Sequence, residues 1–149
     1  AIKPMSEINF DIHVEKLIPQ RPPFLLVDKI LSHDEHITES VFRIGTDHIL
    51  IEDGVLSAYG LIENMAQSAA LRSGYEAYKN NLKPKTGFIG TITNSNIYLL
   101  PSAGSTIRTE VLQTTQIMNI IVIECKCFQD EILLADCSMK IVLMEEQPN

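Results

Sequence analysis

A chain of 149 residues is long enough to bury one hydrophobic core, and we expect residues 1–149 to form a single domain. Its hydrophobic fraction of 45% and charged fraction of 21% are ordinary for a globular protein. The formal net charge of −7, with no basic run, argues against a nucleic-acid partner. No long apolar run and no secretory leader are seen, so we expect a cytoplasmic protein that has no membrane partner.

The first third of the chain predicts one short helix and two strands. Residues 11–20 favour a short helix that Pro19 stops. Residues 24–31 and 37–44 have the composition and alternation of strands, and the polar turn between them makes a hairpin. The loop at 45–54 then leads into the next helix.

A long apolar helix is predicted over residues 54–74, ended by Gly74 and the polar stretch after it. Its apolar residues occupy all sides of the helical wheel, which is typical of a buried helix. Glu63 stands in the middle, where a carboxylate has to be paired or functional. Gln67 lies one turn later on the same face, where it can orient Glu63.

Four strands are predicted after the helix, at residues 86–100, 106–115, 117–128 and 131–144. The first is expected to bulge near Asn94, and the last two form a hairpin. Sequential strands with short links imply an antiparallel sheet. We therefore predict an α+β fold in which the sheet wraps round the helix and a second subunit covers the remaining face or edge.

Three cysteines, Cys125, Cys127 and Cys137, lie in the last two predicted strands. Cys125 and Cys127 point to the same face because they are two residues apart in a strand. Their spacing fits no metal site, and we expect buried free thiols.

Glu63 and His48 are the candidate catalytic residues. Both lie in or just before the long helix, so the two side chains can converge on one site. We expect the other histidines, His13, His33 and His36, to be solvated. The spacing of the histidines fits no metal site, and the chain has no phosphate-binding loop or nucleophile elbow, so no metal or cofactor is expected.

Two stretches resemble the β-hydroxyacyl-(acyl-carrier-protein) dehydratases. Residues 17–28 are similar to that family's opening pattern L-x-P-H-R-x-P-F-L-L-V-D, with Gln20 in place of the histidine. Residues 60–67 are similar to its helix signature L-x-E-A-M-A-Q. The loop at 45–54 lacks the family pattern G-H-F-P, which places the sequence nearer the divergent dehydratases of aryl-polyene and pigment-type lipid pathways.

The resemblance implies a hotdog fold, with subunits paired through sheet edges into a homodimer or a higher oligomer. It implies dehydration of a 3-hydroxyacyl thioester, linked to acyl carrier protein or to coenzyme A, to the trans-2-enoyl thioester. In this family His48 would take the α-proton, and the partner subunit's Glu63 would protonate the leaving hydroxyl. His48 stands about one residue from the family's usual spacing to Glu63.

Elementary chemistry agrees with these roles, because an imidazole suits a base near neutral pH and a desolvated carboxyl suits an acid. The expected substrate-binding residues are Ala58, Tyr59, Gln67, Phe88 and Ile89. The first two would polarise the thioester carbonyl through backbone N–H groups, and the last two would line the acyl tunnel. The candidates for docking an acidic carrier protein are Arg72, Lys79, Lys83 and Lys85.

Two other functions stay open on the sequence alone. A hotdog thioesterase would use the helix carboxylate to activate water, so His48 distinguishes a dehydratase from it. A catalytically silent acyl-binding or partner subunit would keep the fold without the reaction. The missing G-H-F-P pattern is the feature that favours this silent subunit.

Overall fold

The computed structural model describes residues 12–83 and 87–144, without the side chain of Phe88. A 3₁₀ turn at Val14–Lys16 comes first. The remaining elements are β1 (Lys29–His33), β2 (Ile37–Arg43), β3 (Ile51–Glu52), β4 (Val55–Leu56), α1 (Ala58–Lys79), β5 (Gly87–Ile97), β6 (Thr106–Ile117), β7 (Ile120–Gln129) and β8 (Ile132–Leu143).

Six strands form one antiparallel sheet in the order β1-β2-β6-β7-β8-β5, and α1 packs against it. Buried and more exposed positions alternate along β2, β6, β7 and β8, as they do in a sheet with one covered face. Fully buried side chains between sheet and helix include Leu61, Met65, Val111, Leu134 and Met139. The predicted α+β class, with an antiparallel sheet around one long helix, is confirmed.

The helix α1 is displaced along the chain from its predicted bounds of 54–74. It begins after Ser57, whose Oγ accepts a hydrogen bond from the Gly60 N–H at 3.2 Å and caps the first turn. It passes through Gly74 and ends at Lys79. A Cβ at Gly74 would overlap the carbonyl oxygen of Leu17, so this glycine permits close packing instead of ending the helix. No helix in residues 12–83 or 87–144 is long and apolar enough to cross a membrane.

The segment before the sheet differs from its prediction. A helix was predicted at 11–20, and in the described part of that range, 12–20, only a 3₁₀ turn forms. The strand β1 begins at Lys29 instead of residue 24. The reason is that the backbone at Leu26 is bonded to side chains of α1 and not to a strand. Its N–H donates to Gln67 and its carbonyl accepts from Asn64, both at 2.7 Å.

The strand β5 lies at one edge of the sheet, and β8 is the strand that it pairs with in the described chain. Its register shifts between Thr93 and Asn96, and Asn94 has a φ of 50°, so the bulge predicted there is present. The strand exposes apolar side chains, Ile89, Ile92 and Ile97. A long, partly apolar edge of this kind is suited to pairing with another strand.

Candidate active site

Glu63 lies in the middle of α1 and is half-buried in the single chain. Its Oε1 accepts a hydrogen bond from Nε2 of Gln67, 3.1 Å away. Residues four apart share one face of a helix, which brings the two side chains together. The orienting contact expected from the sequence is therefore present.

Gln67 cannot rotate its amide freely, because both ends are bound to backbone. Its Oε1 accepts from the Leu26 N–H at 2.7 Å, and its Nε2 donates to the carbonyl oxygen of Phe24 at 2.8 Å. An N–H group can only donate and a carbonyl oxygen can only accept, so these partners fix which end of the amide faces Glu63. The two sequence motifs, at 17–28 and 60–67, are thus in direct contact.

A cavity of about 480 Å³ adjoins Glu63. Residues of α1 line one wall, from Glu63 through Ala66 and Ala70 to Gly74, and the segment 15–21 lines another. Gln20, which stands in place of the motif histidine, is part of that segment. The apolar lining from the sheet is Ile89, Ile141 and Leu143. Glu15, Lys16 and Arg21 also line the cavity, so the lining is partly apolar and partly charged. The volume is in the range of small-molecule sites.

His48 lies in the loop between β2 and β3, with its ring packed edge-on against Phe42 at 5.9 Å between centroids. Its Nδ1 accepts a hydrogen bond from the Leu50 N–H at 3.1 Å. Its Nε2 is buried and has no hydrogen-bond partner within the part of the chain that the structure describes. His48 does not line the cavity beside Glu63, so a single chain does not bring the two residues to one cavity.

The other predicted substrate-binding residues divide into three cases. Gln67 and Ile89 line the cavity. Ala58 and Tyr59 do not line it, and the Tyr59 side chain is 62% exposed at the start of α1. The side chain of Phe88 lies outside the described residues.

Two residues expected at the surface are in fact buried between α1 and the β1–β2 hairpin. Arg72, a candidate for carrier docking, is 4% exposed and donates to the carbonyl oxygens of Asp34 and Glu35. His33, expected to be solvated, has a 3% exposed side chain and a 2.5 Å bond from Nε2 to Glu76. Burial lowers the pKa of both basic groups. The apolar run around Arg72 was the one sequence signal for its burial.

The remaining docking candidates are on the surface where they are described. Lys79 and Lys83 are exposed, and Lys85 lies outside the described residues. Lys79 also lies 3.6 Å from Glu76.

The three cysteines are buried and free, as predicted. Cys125 lies directly opposite Cys137 in the β7–β8 register. Burial raises the pKa of Cys127 to about 11, and a hydrogen bond with Cys137 together with burial raises the pKa of Cys125. These two groups are therefore protonated thiols near neutral pH, which is unlike a nucleophilic cysteine. No group of His, Cys, Asp and Glu residues suited to a metal ion is found in the described ranges.

Comparison with known proteins points to dehydratases. A family model described as ApeP-like, ApeP dehydratase, matches residues 12–148. The chain is 26% identical over 147 residues to a 3-hydroxyacyl-(acyl-carrier-protein) dehydratase FabZ of Campylobacter lari, covering 91% of this chain and 97% of that protein. It is 27% identical over 115 residues to a FabZ of Anaeromyxobacter dehalogenans, covering 70% and 71%.

A solved structure with a similar fold is the dehydratase heterocomplex ApeI:P from Xenorhabdus doucetiae. The TM-score is 0.82 at 16% sequence identity, over 91% of this chain and 93% of that one. The similarity establishes the hotdog fold of this chain.

Proposed function

Because the chain belongs to the ApeP-like dehydratase family, we propose that it dehydrates a 3-hydroxyacyl thioester carried by an acyl carrier protein to the trans-2-enoyl thioester. The observation that carries the proposal is the position of the Glu63 carboxyl group, which bonds to Gln67 at the wall of a cavity with a partly apolar lining. The FabZ relatives are 3-hydroxyacyl-(acyl-carrier-protein) dehydratases, which supports the same substrate class.

We place the reaction at a site shared by two subunits, between His48 of one chain and the partner subunit's Glu63. Two observations support a shared site. His48 does not line the cavity that Glu63 lines in its own chain, and β5 exposes a partly apolar edge that can pair with a second copy. We expect a homodimer or a higher oligomer. A different chain is the alternative second subunit that we consider, by analogy with the heterocomplex from X. doucetiae.

The elimination breaks a Cα–H bond and the Cβ–O bond while negative charge gathers on the thioester oxygen. Glu63 and His48 are the ionisable groups that we propose for proton transfer and charge stabilisation. The N–H groups of Ala58 and Tyr59 lie in the first turn of α1, where they have no helical acceptor. They would stabilise the negative charge on the same oxygen, because the positive end of the helix dipole lies there.

The cavity beside Glu63 is the proposed seat of the acyl chain. The small side chains of Ala66 and Ala70 leave room along α1, and Ile89 and Leu143 supply apolar contact. Lys79 and Lys83, both exposed, are the described basic residues that we propose for contact with an acidic carrier protein.

One assay separates the three functions. The purified protein is incubated with 3-hydroxyacyl thioesters of pantetheine, coenzyme A and acyl carrier protein, and the products are identified by mass spectrometry. We expect loss of one water, and a Glu63→Gln variant slower by at least about 10²-fold. Release of the free acid would instead indicate a thioesterase, and binding without reaction would indicate a silent subunit.

A further inference from the structure

Cys125 and Cys137 lie directly opposite each other in the antiparallel pairing of β7 and β8. Opposite residues of an antiparallel pair have their side chains on the same face, with Cα atoms about 4.5 or about 5.5 Å apart. A disulfide accepts Cα separations of about 4.4–6.8 Å, so both values lie inside its range. The backbone of the hairpin therefore places two cysteines where a cross-strand disulfide can form without a change of register.

The sulfur atoms of this pair also converge on one residue of α1. Cys125 Sγ lies 3.9 Å from the carbonyl oxygen of Met65, and Cys137 Sγ lies 3.8 Å from Sδ of the same residue. The two cysteines are 1% and 2% exposed and belong to the core between sheet and helix. The thiols are thus opposite along the strands and directed to the same place on the covered face.

Cys127 lies on the same strand and face but has no thiol opposite it. It is fully buried, and its neighbours across the ladder are Ala135 in β8 and Thr109 in β6. The chain has three cysteines, so the directly opposed pair is specific to two of them. Cys127 is therefore a matched internal control for burial without a partner thiol.

The two thiols of the pair differ in how readily they ionise. The hydrogen bond with Cys125 lowers the pKa of Cys137, whereas the hydrogen bond with Cys137, together with burial, raises the pKa of Cys125. The thiolate is the form of cysteine that attacks an oxidant, so Cys137 is the thiol that reacts first. Cys125 keeps its proton and lies opposite as the second thiol.

We propose that Cys125 and Cys137 form a reversible disulfide when the folded protein meets a peroxide. The Cys137 thiolate attacks one oxygen of hydrogen peroxide, the O–O bond breaks, and Cys137 becomes a sulfenic acid. The hydroxide that leaves takes up the proton that Cys137 released and becomes water. The Cys125 sulfur then attacks the sulfenic sulfur, the S–O bond breaks, and the hydroxide leaves as water with the Cys125 proton. Two thiols are oxidised by two electrons, and one peroxide is reduced to two waters.

A peroxide is the class of oxidant that suits this site. The thiols lie in a packed interior behind α1, where a bulky or charged oxidant would have to open the fold widely. Hydrogen peroxide is uncharged and close to water in size, so local opening is enough to admit it. Because the disulfide would link strands whose backbones are already paired, the sheet persists in both redox states.

The test exposes the folded chain to hydrogen peroxide, blocks the remaining thiols with N-ethylmaleimide under denaturing conditions, and maps the products by mass spectrometry. Cleavage after Lys126 and before Asp130 and Asp136 puts the three cysteines on three peptides, so each pairing has its own mass. The same treatment in urea reports how the thiols of the unfolded chain react.

We expect the wild type to lose two hydrogen atoms in mass and to give the Cys125–Cys137 cross-link, with Cys127 still alkylated. Cys127→Ala should form the same cross-link, because the opposed pair is intact, whereas Cys125→Ala and Cys137→Ala should form none. Dithiothreitol should restore both thiols of the wild type. The thermal unfolding midpoint before treatment shows whether each variant is folded.

Three results would each overturn the proposal. The first is a folded wild type whose thiols stay reduced at a peroxide concentration that oxidises the unfolded chain. The second is a cross-link that includes Cys127, and the third is sulfinic acid at Cys137 while Cys125 remains a free thiol. None of them bears on the proposed dehydration, which uses neither thiol.

Discussion

Two polar side chains of α1 hold neighbouring segments in place. Gln67 binds the backbone at residues 24–26, and Arg72 binds carbonyl oxygens of the β1–β2 turn at residues 34–35. Both side chains are buried, so a partner left unpaired inside the protein would cost about 1–3 kcal/mol. Because Gln67 also bonds to Glu63, the same contacts that stabilise the fold orient the candidate catalytic carboxyl group.

The pair formed by buried His33 and half-exposed Glu76 makes stability depend on pH. Burial lowers the pKa of His33, although its hydrogen bond to Glu76 opposes that shift. Burial alone would raise the pKa of Glu76, but the bond from His33 reverses the sign and lowers it. Since both pKa values lie below their unfolded ones, the unfolded chain binds protons first as pH falls. The stabilisation is therefore present above about pH 6.5 and is lost on acidification.

We expect His33→Gln to flatten this dependence, because the substituted side chain does not titrate. The free energy of unfolding is measured with urea between about pH 7.5 and about pH 4.5, and the wild type should lose more stability on acidification than the variant. His36→Gln, at an exposed position, should keep the wild-type slope. An equally steep slope in His33→Gln would contradict this prediction.

At the scale of elements, the packing of the segment 12–28 on α1 forms the cavity beside Glu63. The segment has few ladder hydrogen bonds of its own, and the side chains of Asn64 and Gln67 hold its backbone. Gly74 lets it approach, because a side chain there would overlap the Leu17 carbonyl. One wall of the cavity therefore depends on a contact between two elements that are distant in the sequence.

Gly74→Ala tests that contact through the sign of its effect. In a helix interior alanine is usually more favourable than glycine by about 0.5–1 kcal/mol. Here we expect a loss of about 1–3 kcal/mol from overpacking against Leu17, measured by urea unfolding. Ser73→Ala, one residue earlier in α1, should change stability by less than about 1 kcal/mol. A stabilised Gly74→Ala variant would mean that the segment moves away from α1 without cost.

For the whole molecule, the edge strand β5 is the surface that we propose for assembly. It is eleven residues long and exposes Ile92 and Ile97 among its apolar side chains. Such an edge is a template for pairing with another chain. Pairing across a two-fold axis would create two equivalent sites, each with residues from both subunits.

Complementation between inactive variants tests the shared site. If His48 and the partner subunit's Glu63 act together, co-expression of His48→Ala with Glu63→Gln gives mixed dimers with one intact site. We expect the mixture to recover about a quarter of the wild-type dehydratase rate, whereas each variant alone has little activity. Recovery of none of the rate, with mixed dimers confirmed by mass spectrometry, would place both residues of each site in one subunit.

The amino-acid sequence was enough to predict the fold class and to single out Glu63 as a candidate catalytic residue. Alternating apolar residues in β6, β7 and β8 and the all-round apolar pattern of α1 are local patterns that specify one element each. Glu63 could be singled out because it lies among apolar residues of a helix that is predicted to be buried. Burying an unpaired carboxylate is unfavourable, so its presence there indicates a partner or a function.

The binding partners of the polar residues of α1 are visible only in the folded chain. Arg72, Gln67 and Gly74 lie on one helix, but their partners come from the segment 12–28 and the β1–β2 turn. A local sequence pattern does not predict contacts between segments that are distant in the chain. The orientation of the His48 ring is a similar case, since it depends on the Leu50 N–H that the loop turns toward Nδ1. Propensity and periodicity describe a residue's neighbours in the chain, whereas burial, hydrogen bonding and proton position depend on its neighbours in space.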